Sequence, residues 1–308
     1  EIVYTSVSGI PGFSTITMIR NRLLLITFTL AIIAIPLPSF AKALTVGVFP
    51  RSGVEKTVTA YTPLIEYVAR QSGFDIRLDV PPDMPSFWKR LSAGEYDIAH
   101  MNQYHYVRSH FEKGYVVILK NEEFGKDTIA SALWVREDSP VRTLADLRGK
   151  WVVLGGGRQA MVASIMATDM LEQAGLESQD YFSRSTLHPL EALKSLYYRQ
   201  ADAAGVGDVA DRMPGVKKLF GNDRLRMVAR SEPVTHLPWG VSSRLDDSTV
   251  RAIKSAFLSL NDSMKGKRLL KAVNLTAIRP ATDREYNEHR EIILRVLDEN
   301  YYVQKDSQ

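Results

Sequence analysis

The chain has 308 residues, with 39 lysines and arginines against 35 aspartates and glutamates, a formal charge of +4, and no cysteine. Without cysteine there is no disulfide framework, no thiolate metal site and no cysteine nucleophile. The charges are interspersed, so the basic excess reads as solvated surface rather than a nucleic-acid footprint, and at most favours an anionic small ligand.

Met18 opens a short basic stretch with Arg20 and Arg22. The uncharged run Leu23 to Ile35 follows, then Pro36, Pro38 and small residues up to Ala43. Basic, apolar, then small at −3 and −1 is the layout of a secretory signal peptide cleaved after Ala41 or Ala43. The apolar run is shorter than the roughly 18 to 20 residues of a spanning helix. Residues 1–43 are therefore expected to be upstream residues plus signal, with 1–17 ahead of the start at Met18. No cysteine follows to carry a lipid, which points to a free protein in a Gram-negative periplasm. Arg20-Asn21-Arg22 is not a twin arginine, so export of a pre-folded, cofactor-loaded enzyme is not suggested.

From Leu44 the pattern alternates. Leu44–Pro50 reads as a buried strand running into a loop, Arg51–Lys56. Thr57–Ser72 carries Leu64, Ile65, Val68 and Ala69 as a helical stripe closed by Gly73. Phe74–Val80 is a strand. Met84–Ala93 is a helix whose Phe87, Trp88 and Leu91 face a core. Tyr96–His100 is a strand, Gln103–Lys113 a helix ended by Gly114, and Tyr115–Lys120 a strand. A second unit follows, with strands at Ala132–Arg136, Trp151–Leu154, Ala201–Val206 and Leu225–Arg230. Its helices are Arg158–Ala174, His188–Gln200 and Asp208–Met213. His236–Ser243 is extended. Helices at Asp246–Asn261, Met264–Val273 and Asp283–Asn300 have no strand partners of their own.

Strands alternating with helices make an α/β fold with mostly parallel sheets. The economical arrangement is two lobes, residues 44–125 with 237–308, and residues 126–236. Two chain crossings then form a hinge with a cleft between the lobes.

Val152–Ser164, VVLGGGRQAMVAS, reads as strand, glycine loop and helix start. Gly155-x-Gly157-x-x-Ala160 satisfies the dinucleotide fingerprint, but no strand ending in Asp or Glu stands at the required distance. The phosphate loop G-x-x-x-x-G-K-[ST] is absent. What remains is a helix N-terminus with unpaired N–H groups, glycines that allow close approach, and the fork of Arg158: an anion cradle, or a turn needed for packing. Asn102, Gln103 and Tyr104 follow a strand's C-terminal end, where open α/β sheets bind ligands, although Asn102 could equally cap a helix.

The chain resembles the periplasmic substrate-binding proteins of phosphate, phosphite and phosphonate ABC transporters, the phosphonate-binding-protein-like group of the type II periplasmic binding fold. The resemblance runs through Gly47-Val-Phe-Pro50, Val80-Pro-Pro-Asp-Met84, Gly94-Glu-Tyr-Asp-Ile-Ala99 and Ala132-Leu-Trp-Val-Arg-Glu-Asp-Ser-Pro140. It continues through Thr143-Leu-Ala-Asp-Leu-Arg-Gly-Lys150, His188-Pro-Leu-Glu-Ala-Leu193 and Gln200-Ala-Asp-Ala-Ala204. It implies a two-lobed clamshell, each lobe a mixed, mostly parallel sheet flanked by helices, that closes on a small ligand and delivers it to an inner-membrane permease. The implied protein is a monomer with no cofactor and no nucleic-acid partner.

Residue by residue, the family's ligand positions fall on Met84, Gly157, Arg158, Gln159, Ala160, Met161, Ile129, His188, Asp208 and Leu237 beside His236. The family's Ser and Thr at the helix start are replaced here by Arg158, Gln159, Ala160 and Met161, and its aromatics by Met84 and Ile129. A tetrahedral oxyanion that lost those donors would forfeit a few kcal/mol per unmade bond. The fold expectation survives these replacements, whereas a phosphonate as such does not follow. The expected ligand is a small anionic solute, phosphonate-, phosphite- or other oxyanion-like, with the alternative of a polar head on a partly apolar solute.

Two other function classes compete. The same clamshell could dock on a receptor kinase as a sensor. An exported hydrolase or lyase could use His188 and Asp208 with Ser185 or Ser131, but no nucleophile elbow or carboxylate dyad appears, so no catalytic residues are expected. His100, His105 and His110 recur at i+5, about 140° apart on a helix, which no single metal can use, so they are expected to be structural or surface histidines.

Overall fold

The computed structural model describes residues 3–6, 43–50, 53–221 and 225–302. The chain divides into two units, residues 1–42 and 43–308. In the first, residues 3–6 are exposed and without regular secondary structure. The expected signal segment, Met18 to Ala41, lies outside the described residues, as do Arg51 and Ser52 of the first loop.

In the second unit, β1 (Leu44–Val48), β2 (Ile76–Asp79) and β3 (Ile98–His100) are joined by α1 (Val54–Ser72) and α2 (Met84–Ser92). Local chemistry sets these boundaries. Asp83 caps α2 by accepting from the Ser86 amide at 2.7 Å, and Gly73 ends α1 in the left-handed region that spares glycine the Cβ clash. Then come α3 (Gln103–Lys113), β4 (Val116–Glu122), the short β5 (Thr128–Ile129) and β6 (Ser131–Arg136). β7 (Trp151–Gly155) leads through a π-helical turn, Met161–Ile165, into α4 (Met166–Gln173). β8 (Phe182–Thr186), α5 (Pro189–Tyr197), β9 (Ala203–Gly207), α6 (Pro214–Phe220) and β10 (Leu225–Arg230) complete that part. The chain returns through β11 (Val234–Thr235) to β12 (Pro238–Val241), α7 (Asp247–Leu258), α8 (Met264–Ala272), β13 (Ala277–Pro280) and α9 (Asn287–Leu297).

One sheet has the order β13-β4-β12-β3-β1-β2 and the other β10-β6-β9-β7-β8. Within each, three strands run parallel (β2, β1, β3 and β8, β7, β9), and the next strand, β12 or β6, is antiparallel. That antiparallel strand is in each case the one entered directly after a crossing. The two crossing segments pair with each other, Val234 opposite Ile129 and Thr235 opposite Thr128. A two-stranded ladder therefore connects the sheets. β1 and β7 each have neighbours on both sides reached by opposite windings, so each sheet has a switch point at its C-terminal edge.

Each sheet is buried on both faces, which explains the unbroken apolar runs of its strands. On β6, Ala132 and Trp134 pack with α5 and α6, while Leu133 and Val135 pack toward α4. On the larger sheet, Val46, Val48 and Trp239 pack with residues of α1, α7 and α8. Its other face carries Phe87, Leu91, Tyr104 and Tyr286, and this cluster continues into Met161, Ile165 and Met166 of the opposite half.

Four expectations change. The helix expected from Arg158 begins at Met161, because Arg158 and Gln159 are used in the turn after Gly157. β13 pairs with β4, so the C-terminal helices do have a strand among them. β8 escaped the sequence reading because Phe182, Ser183, Arg184 and Ser185 are all exposed on an edge strand and show no alternation. The seven-residue α6, opened by Pro214, was also missed.

Candidate functional site

The glycine loop leaves the C-terminal end of β7, in the middle of its sheet. Its three glycines serve two needs. A Cβ on Gly155 would lie 2.7 Å from the Cα of Pro189, so this glycine lets α5 pack against the strand end. Gly156 and Gly157 have φ of 92° and 80°, values that L side chains rarely adopt. The amides of both donate to the Thr186 carbonyl at 2.9 Å, so they hold the His188 loop rather than pointing at a ligand. The amides of Arg158 and Gln159 take no part in the loop's backbone hydrogen bonds among the described residues. Both side chains are exposed.

Four segments meet at this edge. His188 is half-buried at the N-terminus of α5, with no side-chain capping bond. Asp208 follows β9, donates its amide to the Ala130 carbonyl at 2.9 Å, and pairs its carboxylate with Arg230 at 2.9 Å. Ile129 is buried in the crossing ladder. Ser131, one strand position further, is fully buried with no partner for its hydroxyl among the described residues.

Across from the loop stands the N-terminus of α3. Asn102 caps it, its Oδ1 accepting from the His105 amide at 2.8 Å. The same side chain donates from Nδ2 to the Gln159 backbone carbonyl at 3.1 Å, and the Gln159 side-chain Nε2 donates to the Tyr104 hydroxyl at 3.4 Å. The sequence-expected Asn102, Tyr104 and Gln159 are thus in direct contact across the two halves. Gln103 is buried and donates to the Thr235 carbonyl of the ladder at 3.2 Å, leaving its Oε1 without a partner. Met84 and Trp88 are half-buried and pack against the cluster that contains Met161. Ala160 precedes the π turn, and its carbonyl accepts from both Ser164 and Ile165.

His236 is placed differently from Asn102 and Gln159. It is 2 % exposed, its Nδ1 accepts from the Leu237 amide at 2.8 Å, and its Nε2 faces Glu123 at 3.8 Å. It lies beside the crossing and turns to the Glu123 side.

The three histidines also separate. His100 lies on β3 and stacks on Trp239 at 4.3 Å, and His110 bonds the Tyr115 carbonyl at 2.7 Å. His105, which sequence reading set aside as structural, turns toward the opposite loop. Among the described residues no group of three or more His, Asp or Glu is placed to hold a metal. No described helix is long and apolar enough to cross a membrane.

Strand ends, crossing ladder and a helix N-terminus converging on a glycine loop suit a ligand held between two halves. The model of the periplasmic substrate-binding protein of the phosphonate ABC transporter matches residues 46–286. The chain belongs to that family. Family membership supports the transport reading over the sensor and enzyme readings, and the family itself is periplasmic. Solved structures share the type II fold. PhnD1 from Prochlorococcus marinus, in complex with methylphosphonate, superposes with a TM-score of 0.74 at 14 % identity over 84 % of this chain and 99 % of that one. A binding-protein component of an ABC phosphonate transporter from Pseudomonas aeruginosa gives 0.72 at 13 %, over 83 % and 86 %. A Xanthomonas citri protein bound to ATP gives 0.71 at 18 %, over 84 % and 99 %.

Proposed function

We propose that this chain captures a phosphonate or a similar small oxyanion between two lobes and hands it to an inner-membrane permease. The lobes are residues 44–125 with 237–308, and residues 126–236. In this reading the chain is exported, acts as a monomer, and does not turn over its ligand. The observation that carries it is the glycine loop and its neighbours. The Arg158 guanidinium, the Arg158 and Gln159 amides and the half-buried His188 all lie at the C-terminal edge of β7 and β8. The N-terminus of α3 stands opposite.

The anionic head is assigned to Arg158, His188 and the loop amides, which supply donors where the family's hydroxyls are missing. Arg158 offers two parallel N–H bonds to an oxyanion, stronger than neutral pairs. Met84, packed against the cluster that holds the buried Met161 and Ile129, gives the rest an apolar wall, which suits a short carbon substituent. Asn102, Gln103 and Tyr104 close the opposite wall.

A ligand that binds only the folded form raises its melting temperature by mass action. In a thermal-shift screen of phosphate, phosphite, alkylphosphonates, sulfonates and small organic acids, one oxyanion class should stabilise the protein. Arg158→Ala should weaken that ligand about tenfold or more, on the order of one charge-assisted bond. His188→Ala should weaken it as well. Unchanged affinity in both variants would show that the head sits elsewhere, and turnover of the responding ligand would overturn the binding-protein reading.

A further inference from the structure

The N-terminus of α3 carries two buried hydrogen-bond acceptors that have no hydrogen-bond partner among the described residues. The first is His105 Nε2. His105 is 1 % exposed and walled by the rings of Phe87, Trp88 and Tyr104, at centroid separations of 6.3, 5.4 and 5.4 Å. Its Nδ1 lies 2.8 Å from Asn102 Oδ1. A carbonyl oxygen can only accept, so Nδ1 carries the proton, and in the neutral ring Nε2 is left as a lone pair. Burial pushes the imidazole down to about 3, with the Arg108 charge acting in the same direction. The ring is therefore neutral at physiological pH. Nε2 has no hydrogen-bond partner among the described residues.

The second is Gln103 Oε1. Its amide nitrogen is engaged with the Thr235 carbonyl, so the unpaired atom is again an acceptor. A buried polar atom left unpaired costs about 1–3 kcal/mol, and two acceptors at one helix end ask for donors. Gln159, an exposed side chain of the facing loop, approaches the His105 ring, so the acceptor faces the loop that carries the proposed anion site.

The charge around this end selects the donor. An ammonium would meet only the neutral Gln103 and His105, while the Arg108 guanidinium, held 4.4 Å above the Trp88 ring and paired with Glu112 at 2.7 Å, offers it no partner. Glu299, a carboxylate that meets Tyr104 of this wall, already accepts from Tyr104 and Tyr301 at 2.8 and 2.7 Å. A hydroxyl meets neither objection.

Resting on the oxyanion reading above, we propose that Gln103 and His105 are specificity residues that read an uncharged O–H donor on the ligand's carbon substituent. The preferred substrate class is then a hydroxylated organophosphonate, with the anionic head at Arg158 and the hydroxyl at α3.

The test is calorimetric titration of the exported chain with methylphosphonate, hydroxymethylphosphonate and 2-aminoethylphosphonate. The hydroxymethyl compound should bind about fivefold or more tighter than methylphosphonate, the effect of one net hydrogen bond, and tighter than the aminoethyl compound. His105→Phe keeps a ring at this position but removes the lone pair, and should bring the hydroxymethyl-to-methyl ratio close to one. Gln103→Met, similar in shape, should reduce the same ratio independently should the histidine variant not fold. His105→Gln, which restores an acceptor, should recover part of it. Equal wild-type affinity for the methyl and hydroxymethyl compounds would overturn this inference and leave the oxyanion reading standing, as would a preference for the aminoethyl compound. Failure of all three compounds to bind would overturn this inference, and the oxyanion reading would fall only if phosphate, phosphite and sulfonates also failed.

Discussion

At the residue scale, three adjacent glycines illustrate what a pattern conveys and what it hides. Gly155-Gly156-Gly157 announces a loop, and its position after an apolar run announces a strand end. Which glycine serves which need depends on Pro189 and Thr186, about thirty positions later in the chain, and no local pattern contains that. Gly155→Ala should destabilise the protein by about 1–3 kcal/mol, the usual cost of overpacking, because its Cβ would meet the backbone of Pro189 rather than a flexible side chain. Gly157→Ala has open space around it and should cost only the positive-φ strain, of order 1 kcal/mol. Urea denaturation of the two variants checks the ranking, and equal costs would contradict it. His105 shows the converse limit. Its place in the i+5 series suggested a structural histidine, and the useful signal was Asn102 three residues earlier, a cap whose one oxygen serves both the His105 amide and its ring.

At the element scale, caps and glycine stops placed most helices well. Asp83, Asn102 and Asp246 each accept from amides of the first turn, and Gly73 and Gly114 end their helices with positive φ. The errors fell where burial was low or geometry irregular. β8 is an exposed edge, and β13 reads as a loop before Thr282. The π turn at Met161 follows Ala160, which has no side-chain oxygen to cap a regular start. α9 carries the contact that sequence could not suggest. Arg295 meets Asp169 of α4 through two bonds, at 2.6 and 3.0 Å, joining the C-terminal helix to the opposite half. The two partners are not equally exposed: the Asp169 side chain is 10 % exposed and that of Arg295 48 %. Arg295→Met strands a buried carboxylate, whereas Asp169→Asn leaves a half-exposed guanidinium free to hydrate. Arg295→Met should therefore cost more stability than Asp169→Asn, by about 1 kcal/mol or more. Denaturant midpoints give the comparison, and the reverse order would show that the pair is not held as described.

At the scale of the whole molecule, the alternation of strands and helices made the α/β class legible, and the two-crossing arrangement followed from helices placed after the second unit. The residues that close the space between the halves were less legible. Contacts such as Asn102 with Gln159 join positions 57 apart, and their partners are fixed by docking rather than by local pattern. Burial also predicts a pH response. His105 and His289 are both buried, and both are pushed down to about 3 by that burial, against about 6.5 for an ordinary imidazole. Below about pH 6.5 the unfolded chain binds protons that the folded chain refuses. Stability is therefore complete above that pH and is lost as pH falls toward 3, by up to about 1.4 kcal/mol per pH unit for each ring. Denaturation midpoints between pH 7 and 4.5, above the carboxylate range, should fall in the native protein and flatten in a His105→Phe, His289→Phe variant. An equally steep fall in that variant would assign the loss to other groups.

The central claim is that an oxyanion sits between the glycine loop and the N-terminus of α3. A crystal structure grown with methylphosphonate tests it most directly. The account predicts tetrahedral density within hydrogen-bond reach of Arg158 and His188, with Asn102 and Gln103 on the far side. Density on another face of the protein, or none at saturating concentration, would contradict it.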